Sequence, residues 1–285
     1  MTFLIDYAAI DGNRVPDLAR AKAAGLRGAI VRAAYSTWPD VTCARDRAAI
    51  RDAGLVFGAY LMPVTNRGAP DPEEQVRVYL ANACLIPGRD FAPVLDLEWP
   101  HGIAATGRSR DELAVWISRA RAAVRKATGV DPIVYSSARV LDGSDTDALA
   151  GAADEAIRGC PAWCARYPFR TRIPAVTDHS ALAPPPVPRA LGDADAWWIH
   201  QYQGDAIQLP GFSATVDLDR FNMLRRGARG TRVAWVQRRI RMSACAAGIW
   251  DAAMDAAVEA WQRSRGLVAD RVIGPVSFAA LGWTP

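Results

Sequence analysis

Residues 92–100 read APVLDLEWP, an apolar run that carries two acidic residues and ends at a proline. Successive side chains of a β-strand point to opposite faces, so this run places Asp96 and Glu98 on one face and leucines on the other. The Cα atoms of the two acids would lie ~6.6 Å apart at the usual rise of a strand. The stretch therefore predicts a strand with one face against helices and two carboxyl groups on the opposite face.

The sequence around this strand alternates short apolar runs with amphipathic stretches, as repeated strand–helix units do. Glycines follow three of the amphipathic stretches, where a helix favours a residue of positive φ. We predict strands at 3–7, 29–35, 56–64, 92–99 and 131–136, helices at 16–24, 44–53, 72–83, 110–128 and 147–157, and further strands at 162–167, 196–202 and 214–221. Proline-rich loops such as residues 181–189 join the last strands, because stacked prolines are not helical. The fold class is α/β.

Eight strands with five helices predict a barrel whose last three strands lack helices, while an open sheet of the same elements stays possible. A β/α barrel places its active site at the carboxyl ends of its strands, where Asp96 and Glu98 lie. Asp6 ends the first strand and Asp217 lies in the last, and these strands are neighbours in a closed barrel. Four acids would thus surround one pocket, with Asp219 further out in a loop. The structural alternative is a pair of acids that caps the next helix or binds a surface arginine.

Carboxyl groups crowded into one pocket raise each other's pKa, and a raised pKa keeps a carboxylic acid protonated near neutral pH. Such a group can act as the general acid in glycoside cleavage. Rings and amides near the strand ends can cover and hydrogen-bond a sugar, although each can equally be a core residue. These candidate substrate-binding residues are Tyr60, Tyr135, Trp163, Tyr167, Trp198, Gln201 and Tyr202.

Other catalytic schemes find little support in the sequence. It has no Gly-x-Ser-x-Gly nucleophile elbow and no phosphate-binding glycine loop. Asp96, Glu98 and His101 could bind a metal, but the turn after Trp99 and Pro100 disfavours that geometry. We therefore predict no metal and no other cofactor.

Composition is typical of a compact globular protein, since 51% of the 285 residues are hydrophobic and 22% are charged. No apolar window of ~18 residues occurs, so stable membrane insertion is not expected. Asp6 and Asp11 interrupt the region where an export signal would have an unbroken apolar run, which predicts synthesis in the cytoplasm without a signal peptide. The five scattered cysteines are expected to be mostly free thiols.

The carboxy-terminal part differs in charge. Residues 226–285 hold nine arginines against four acids, a charge of +5, whereas the whole chain carries +4. Such a segment favours a polyanionic surface, which nucleic acid, anionic lipid and bacterial wall polymer all offer. Nucleic acid is not the expected partner, because the chain has no zinc-finger spacing, no aromatic RNP-like strand and no continuous basic helix.

The same part of the chain also reads as a separate unit. RRGARG at 225–230 has the composition of a linker between a domain at 1–224 and a second one at 231–285. Apolar stripes predict two short helices after the linker: Val233, Val236 and Ile240 in the first, and Ala253, Ala256, Ala257, Ala260 and Trp261 in the second. Arg238, Arg239 and Arg241 would form a solvated basic face.

Several motifs follow one another along residues 1–222 in an order that closely resembles glycoside hydrolase family 25. They are IDY at 5–7, GAY at 58–60, VLDLE at 94–98, IVYSS at 133–137, AWCARY at 162–167, WxxQY at 198–202 and VDLDRF at 216–221. The resemblance implies a (β/α)5β3 TIM-like barrel and a lysozyme-type N-acetylmuramidase, which cleaves the β-1,4 bond from N-acetylmuramic acid to N-acetylglucosamine. It implies Glu98 as general acid/base, Asp96 as its partner, and Asp6 and Asp217 as the remaining acids. Ser36 stands where many members have glycine.

The last part, through VxxVQ at 233–237, AVxxWQ at 257–262, GL at 266–267 and IGP at 273–275, resembles a small all-α three-helix peptidoglycan-binding domain. Together the two parts resemble a modular phage endolysin. This implies bacterial peptidoglycan as the partner of a monomer that is released to the cell wall through a holin pore. A catalytically inactive peptidoglycan-binding module is the alternative function, and a bacterial autolysin exported by another route is an alternative origin.

The sequence does not decide whether the configuration at the anomeric carbon is retained or inverted. Carboxyl groups about 5 Å apart favour a covalent retaining route, and a separation of ~6.5–9.5 Å favours inversion. Neighbours on one strand fall between these ranges. Our hypothesis is substrate assistance with retention, in which the 2-acetamido group attacks the anomeric carbon while Asp96 stabilises the oxazolinium and Glu98 protonates the leaving oxygen.

Overall fold

The structure is a computed structural model that describes residues 2–13, 16–99, 103–137, 140, 152–185, 196–242 and 247–283. In chain order its elements are β1 (Phe3–Tyr7), α1 (Leu18–Ala23), β2 (Leu26–Tyr35), β3 (Trp38–Pro39), α2 (Cys43–Asp52), β4 (Val56–Met62), α3 (Pro72–Ala83), β5 (Val94–Asp96), α4 (Arg110–Thr128), β6 (Ile133–Ser137), α5 (Ala152–Ile157), β7 (Ala162–Ala165), β8 (Trp197–Ala206), β9 (Val216–Phe221), α6 (Thr231–Arg239), α7 (Ala252–Ser264) and α8 (Pro275–Gly282).

Eight of the strands close into a barrel, and β3 only extends β2 as a hairpin. Neighbouring strands run parallel from β1 through β2, β4, β5, β6 and β7 to β8. The last strand, β9, lies between β8 and β1 and is antiparallel to both. The α/β class and the closed barrel are thus confirmed, and the open sheet is excluded.

Local sequence signals set the two central helices where they were predicted. Proline at the first turn begins α3, and α4 begins with a capping box in which Ser109 and Glu112 bond each other's backbone N–H. Gly129 ends α4 with a φ of 79°, a conformation that only glycine adopts without strain. Of the predicted fifth helix, residues 147–151 lie outside the described residues, as do residues 186–189 of the proline-rich loop and Cys245.

The strand that carries the acid pair is shorter than predicted, since its ladder ends at Asp96. Its side chains nevertheless alternate between the two faces as predicted. Leu95 and Leu97 are fully buried in the cluster between barrel and helices, together with Tyr79 of α3. The Tyr79 hydroxyl donates to the Ala59 carbonyl at 2.7 Å and accepts from the Val94 N–H at 2.9 Å, which fixes α3 against β4 and β5.

The three carboxy-terminal helices pack on the barrel at the end opposite the carboxyl ends of its parallel strands. Phe278 of α8 stacks on Trp198 of β8 with ring centroids 4.5 Å apart. It also contacts Phe221 at 5.3 Å and Trp235 of α6 at 5.7 Å. The Trp283 indole N–H donates to the Asp90 carbonyl at 2.8 Å. One apolar cluster therefore runs from the barrel interior into these helices.

Residues 225–230 are hydrogen-bonded into this packing. The Gly227 N–H donates to the Trp250 carbonyl at 3.1 Å, and the Gly230 N–H donates to the Gly248 carbonyl at 2.9 Å. A free linker would lack such bonds. The division into domains at 224 and 231 stays a prediction.

Two expectations for these helices were wrong. In α7 the buried residues are Met254, Asp255, Val258 and Gln262, whereas Ala253 is exposed, because the larger side chains bury more surface. In α6 the Arg239 guanidinium lies 4.2 Å from the Trp235 ring centroid, and burial lowers its pKa to about 10. That side chain is therefore not part of a solvated face. None of the helices in the described ranges is long and apolar enough to cross a bilayer.

We expect Phe278→Ala to lower the free energy of unfolding of the whole molecule by ~3–5 kcal/mol, because it empties the centre of the shared cluster. Val276→Ala on the same helix is the control, since Val276 is 53% exposed and should cost less than ~0.5 kcal/mol. Urea unfolding followed by near-ultraviolet circular dichroism measures both. Separate transitions, with the barrel transition unchanged by Phe278→Ala, would contradict a shared core.

Candidate active site

A cavity of about 190 Å³ opens at the carboxyl ends of the parallel strands. All but one of its polar side chains come from barrel strands or the residues directly after them, as a β/α barrel dictates. The polar and aromatic residues around it include Asp6, Asp11, Arg32, Tyr60, Asp96, Glu98, Tyr135, Trp163, Gln201, Asp205 and Asp217. The four acids expected to converge therefore line one cavity.

Asp96 is the last residue of β5 and is buried, whereas Glu98 follows the strand and is half-buried. Backbone contacts hold Glu98 in place although the ladder has ended. The Leu97 N–H donates to the Tyr135 carbonyl at 2.8 Å, and the Ser136 hydroxyl donates to the Leu97 carbonyl at 2.7 Å. The neighbouring strand β6 thus positions the second acid of the pair.

Gln201 of β8 connects the acids of β1 and β9. Its amide NH2 donates to Asp6 Oδ2 at 2.7 Å and to Asp217 Oδ2 at 3.1 Å. Its oxygen accepts from the hydroxyl groups of Tyr135, at 2.6 Å, and Tyr167. All four hydrogen-bonding positions of this buried amide are used, so its orientation is determined.

Asp219 also belongs to this site, and its placement in an outer loop was wrong. It lies within β9, is fully buried, and accepts the Trp163 indole N–H at 2.7 Å. Besides burial, its charge raises the pKa of Asp6 on the neighbouring strand. Because β9 is antiparallel to β1, residues after Asp217 lead down into the barrel, whereas a parallel strand would lead out of it.

Burial raises the pKa of every acid in this group. For Asp6 the charges of Asp219 and Asp217 add to the effect of burial on its pKa. Burial raises the pKa of Asp217 to about 7 and that of Asp219 to about 8. For Asp96, burial and the charge of Glu98 raise the pKa while Arg32 opposes them. For Glu98, burial raises the pKa and the Tyr135 hydroxyl opposes it. The site therefore holds protons at pH values where exposed carboxyl groups are ionised.

Residues 5–211 match the sequence profile of glycosyl hydrolases family 25. The chain belongs to this family. It is accordingly a glycoside hydrolase of the lysozyme type, as expected. The family match ends before β9, so Asp217 and Asp219 lie beyond it.

Solved structures show the same fold. The bacterial lysozyme from Streptomyces coelicolor is similar with a TM-score of 0.61 and 22% identity over 78% of this chain and 92% of that chain. A muramidase from Acremonium alcalophilum is similar with a TM-score of 0.59 and 21% identity, over 78% of this chain and 94% of that chain. The Clostridium perfringens spore cortex lytic enzyme SleM is similar with a TM-score of 0.53 and 20% identity, over 78% of this chain and 67% of that chain. No curated protein sequence matches the chain significantly.

Three of the expected substrate-binding residues do not line the cavity of this family 25 barrel: Trp198, Tyr202 and Tyr167, whose hydroxyl donates to the cavity residue Gln201. Trp198 lies near the start of β8, at a register shift against β7, and packs under the barrel with Phe278. Tyr202 follows the inward-facing Gln201, so it points outward, and its hydroxyl donates to the Val176 carbonyl at 2.8 Å. Tyr60, Tyr135, Trp163 and Gln201 do line the cavity.

Sequence reasoning missed Arg32, a cation of this cavity. Arg32 lies in β2, and its guanidinium donates to Asp40 at 3.2 Å. Its charge opposes the rise in the pKa of Asp96. The sequence did carry a signal for Arg32, because it shares strand parity with the inward-facing Ile30 within the otherwise apolar residues 29–34.

The residues described around the cavity do not suggest a metal centre. Throughout the described ranges, no group of three or more His, Cys, Asp or Glu side chains has a metal-binding arrangement. His101, the third ligand of the alternative metal site, lies outside them. The absence of a cofactor stays a prediction.

Asp219→Asn tests how far the buried carboxyl group of Asp219 destabilises the folded protein at higher pH. The pKa of Asp219 is about 8 in the folded protein against an ordinary 3.8, so the folded state binds more protons and stability falls as pH rises from about 4 to about 8. Asparagine carries no charge and can still accept the Trp163 N–H. We expect the stability of the variant relative to wild type to rise by about 1 kcal/mol or more between pH 5 and pH 8.

Urea midpoints at the two pH values provide the measurement. Asp52→Asn, at the exposed end of α2, is the matched control and should show no such pH-dependent difference. An equal effect of Asp219→Asn at both pH values would show that Asp219 is ionised in the folded protein.

Proposed function

We propose that this chain is a peptidoglycan hydrolase that cleaves the β-1,4 bond between N-acetylmuramic acid and N-acetylglucosamine. The observation that carries the proposal is the pair of carboxyl groups of Asp96 and Glu98 in the cavity of a family 25 barrel. The similar folds described as lysozymes, muramidases and a spore cortex lytic enzyme support this substrate.

Glu98 acts as the general acid and then as the general base. Burial raises its pKa, which keeps the proton needed by the leaving oxygen. The side chain is only half-buried, so its carboxyl group can reach a bound substrate. After departure of the first sugar, the ionised Glu98 takes a proton from the incoming water.

Asp96 assists Glu98 in the reaction and is more deeply buried than Glu98. Arg32 opposes part of the rise that burial and the charge of Glu98 cause in the pKa of Asp96. One carboxylate oxygen, Oδ1, is buried without a hydrogen-bond partner, so it can accept the N–H of a sugar acetamido group. The acetamido carbonyl oxygen attacks the anomeric carbon as the bond to the leaving oxygen breaks and Glu98 protonates that oxygen. Water then opens the oxazolinium from the opposite side, so the configuration is retained.

Asp6, Asp217 and Gln201 form the floor of the proposed sugar site. Gln201 fixes both carboxyl groups in one arrangement, and the raised pKa values let these groups donate as well as accept hydrogen bonds. Tyr60 and Trp163 supply ring surface on the same cavity. We assign this floor to the sugar whose anomeric carbon reacts.

Residues 231–285 are proposed as the peptidoglycan-binding part of the molecule. Support comes from the motif resemblance and from the +5 charge of residues 226–285, which suits an anionic wall polymer. We propose a monomer that acts at the cell wall as a modular endolysin and reaches the wall through a holin pore.

Glu98→Gln should lower the rate of bond cleavage by at least about 10³, because glutamine cannot donate a proton to the leaving oxygen. Purified peptidoglycan is digested with each protein, reduced with borohydride and analysed by mass spectrometry. Muramitol ends from wild type alone are expected. Val115→Ala, a change at a side chain 60% exposed on α4 and outside the cavity, is the control for handling and folding.

Other products would contradict the proposed cleavage. Glucosaminitol ends would mean that the other glycosidic bond is cleaved. No new reducing ends from wild type would favour the catalytically inactive binding module. Equal activity of wild type and Glu98→Gln would remove Glu98 from its role.

The configuration of the first product tests substrate assistance. We expect the β-anomer of the new reducing end to form first, because two displacements at one carbon restore the original configuration. Proton NMR during digestion of soluble glycan strands follows the anomeric signals before mutarotation. The α-anomer as first product would refute the oxazolinium route while leaving Glu98 as the acid.

A further inference from the structure

A buried polar cluster lies on the face of β8 that points away from the cavity. Its centre is His200, which is 1% exposed and has no part in the catalytic steps proposed above. Gln201, the next residue of β8, lines the cavity, so the side chain of His200 points to the opposite face. Arg220 of β9 pairs with His200 across the antiparallel strands, which brings both side chains to that face. Buried polar groups need partners, and the partners of His200 indicate what it does.

The guanidinium of Arg220 determines which nitrogen of His200 carries the proton. Arg220 Nε donates to His200 Nδ1 at 2.9 Å. An arginine N–H can only donate, so Nδ1 accepts and the proton of the neutral ring is on Nε2. Burial lowers the pKa of His200 to about 4, the bond to Arg166 opposes this effect and the charge of Arg220 adds to it. The ring is therefore neutral, and in one tautomer, at neutral pH.

Backbone carbonyl groups hold the guanidinium itself in place. The other nitrogens of Arg220 donate to the Leu182 carbonyl at 2.9 Å and to the Ala183 carbonyl at 2.6 Å. The guanidinium carbon lies 5.0 Å from the centroid of the Trp197 ring. Because the loop before β8 and β8 itself both contact Arg220, the N–H that it presents to His200 has a fixed direction.

The Nε2–H of His200 bonds the backbone where a strand ladder ends. The pairing of β7 with β8 ends at Ala165, and the next N–H, that of Arg166, still donates to the Gln201 carbonyl at 3.0 Å. His200 Nε2 donates to the Arg166 carbonyl at 2.9 Å. The side chain of His200 thus supplies a bond beyond the end of the ladder and fixes the peptide group between residues 166 and 167.

That peptide group orients Tyr167. The residue lies beyond the end of β7 and is 45% exposed, so core packing does little to hold it. Its hydroxyl nevertheless donates to Gln201 Oε1, and the amide NH2 of Gln201 donates to Asp6 and Asp217. A chain of contacts therefore leads from the outer face of β8 to the two acids.

We infer, on the basis of the proposed function, that His200 is a positioning residue for glycan cleavage and that it acts through Tyr167. With its tautomer set by Arg220, it holds the Tyr167 hydroxyl on Gln201 and thereby fixes the floor under the reacting sugar. A displacement of about 1 Å near a reacting centre can cost about 100-fold in rate. The sugar above this floor changes shape as the bond breaks, so a displaced floor lowers kcat more than it raises KM.

His200→Phe keeps a ring and removes both hydrogen bonds. We expect it to lower kcat on peptide-free glycan strands about tenfold and to change KM less than about twofold. His200→Gln should restore most of the loss, because its amide oxygen can accept from Arg220 and its NH2 can donate to the Arg166 carbonyl. His179→Phe is the matched control. That half-buried histidine bonds the Thr2 carbonyl at 3.0 Å, and loss of this bond should leave kcat unchanged.

Tyr167→Phe distinguishes positioning from a general loss of stability. If His200 acts through the Tyr167 hydroxyl, Tyr167→Phe lowers kcat by a similar factor, and adding His200→Phe lowers it less than about twofold further. Losses that multiply in the double variant would overturn the inference. An unchanged kcat in Tyr167→Phe would overturn it as well, and this half-exposed substitution does not depend on the folding of a variant with a buried change.

The tautomer of His200 is a readout that needs no activity. The chain has three histidines, so the signals lost in His200→Gln assign His200 in two-bond proton–nitrogen NMR spectra. We expect a neutral ring with its proton on Nε2 at neutral pH, and a proton on Nδ1 or a charged ring would overturn the inference. A wild type that has this tautomer but cleaves no glycan would overturn the proposed function, and the role of His200 with it.

Discussion

The pairing of β1 with β9 is the constraint on which the rest of the molecule depends. In this register Asp6 lies opposite Asp217 and Leu4 opposite Asp219, so the closure of the barrel brings three acids together. Ile5 and Leu218, which alternate with these acids along the two strands, turn to the opposite face and are fully buried. A shift of one residue would bring carboxyl groups into the apolar layer under the helices, so the pattern of charges and apolar side chains fixes the register.

Closing the barrel buries several carboxyl groups, which is electrostatically unfavourable. Hydrogen bonds from neutral side chains offset part of this cost. Gln201 and Trp163 donate to the buried acids, and Arg32 is the cation that acts on Asp96. These hydrogen bonds lower the pKa values of Asp6 and Asp219 by less than burial raises them. The acids therefore keep raised pKa values, which general acid catalysis requires.

The two ends of the barrel have opposite chemistry. The mouth is polar, and the other end is apolar, where aromatic rings of α6 and α8 cover the barrel interior. This arrangement explains why the carboxy-terminal helices share a core with the barrel. It also explains why Trp198, an aromatic residue in a strand that reaches the site, contributes to packing below it and not to the cavity.

Sequence alone determined the elements whose signals are local: the helices at 72–83 and 110–128 with their caps, the strand alternation at 94–97, and the acids Asp6, Asp96, Glu98 and Asp217 that line one cavity. Periodicity and caps act within a few residues, so a single sequence shows them. The depth of Asp219 and the places of Trp198 and Tyr202 needed the tertiary structure, because they follow from strand direction and from a register shift in β8. Those properties arise between distant segments, and no local pattern encodes them.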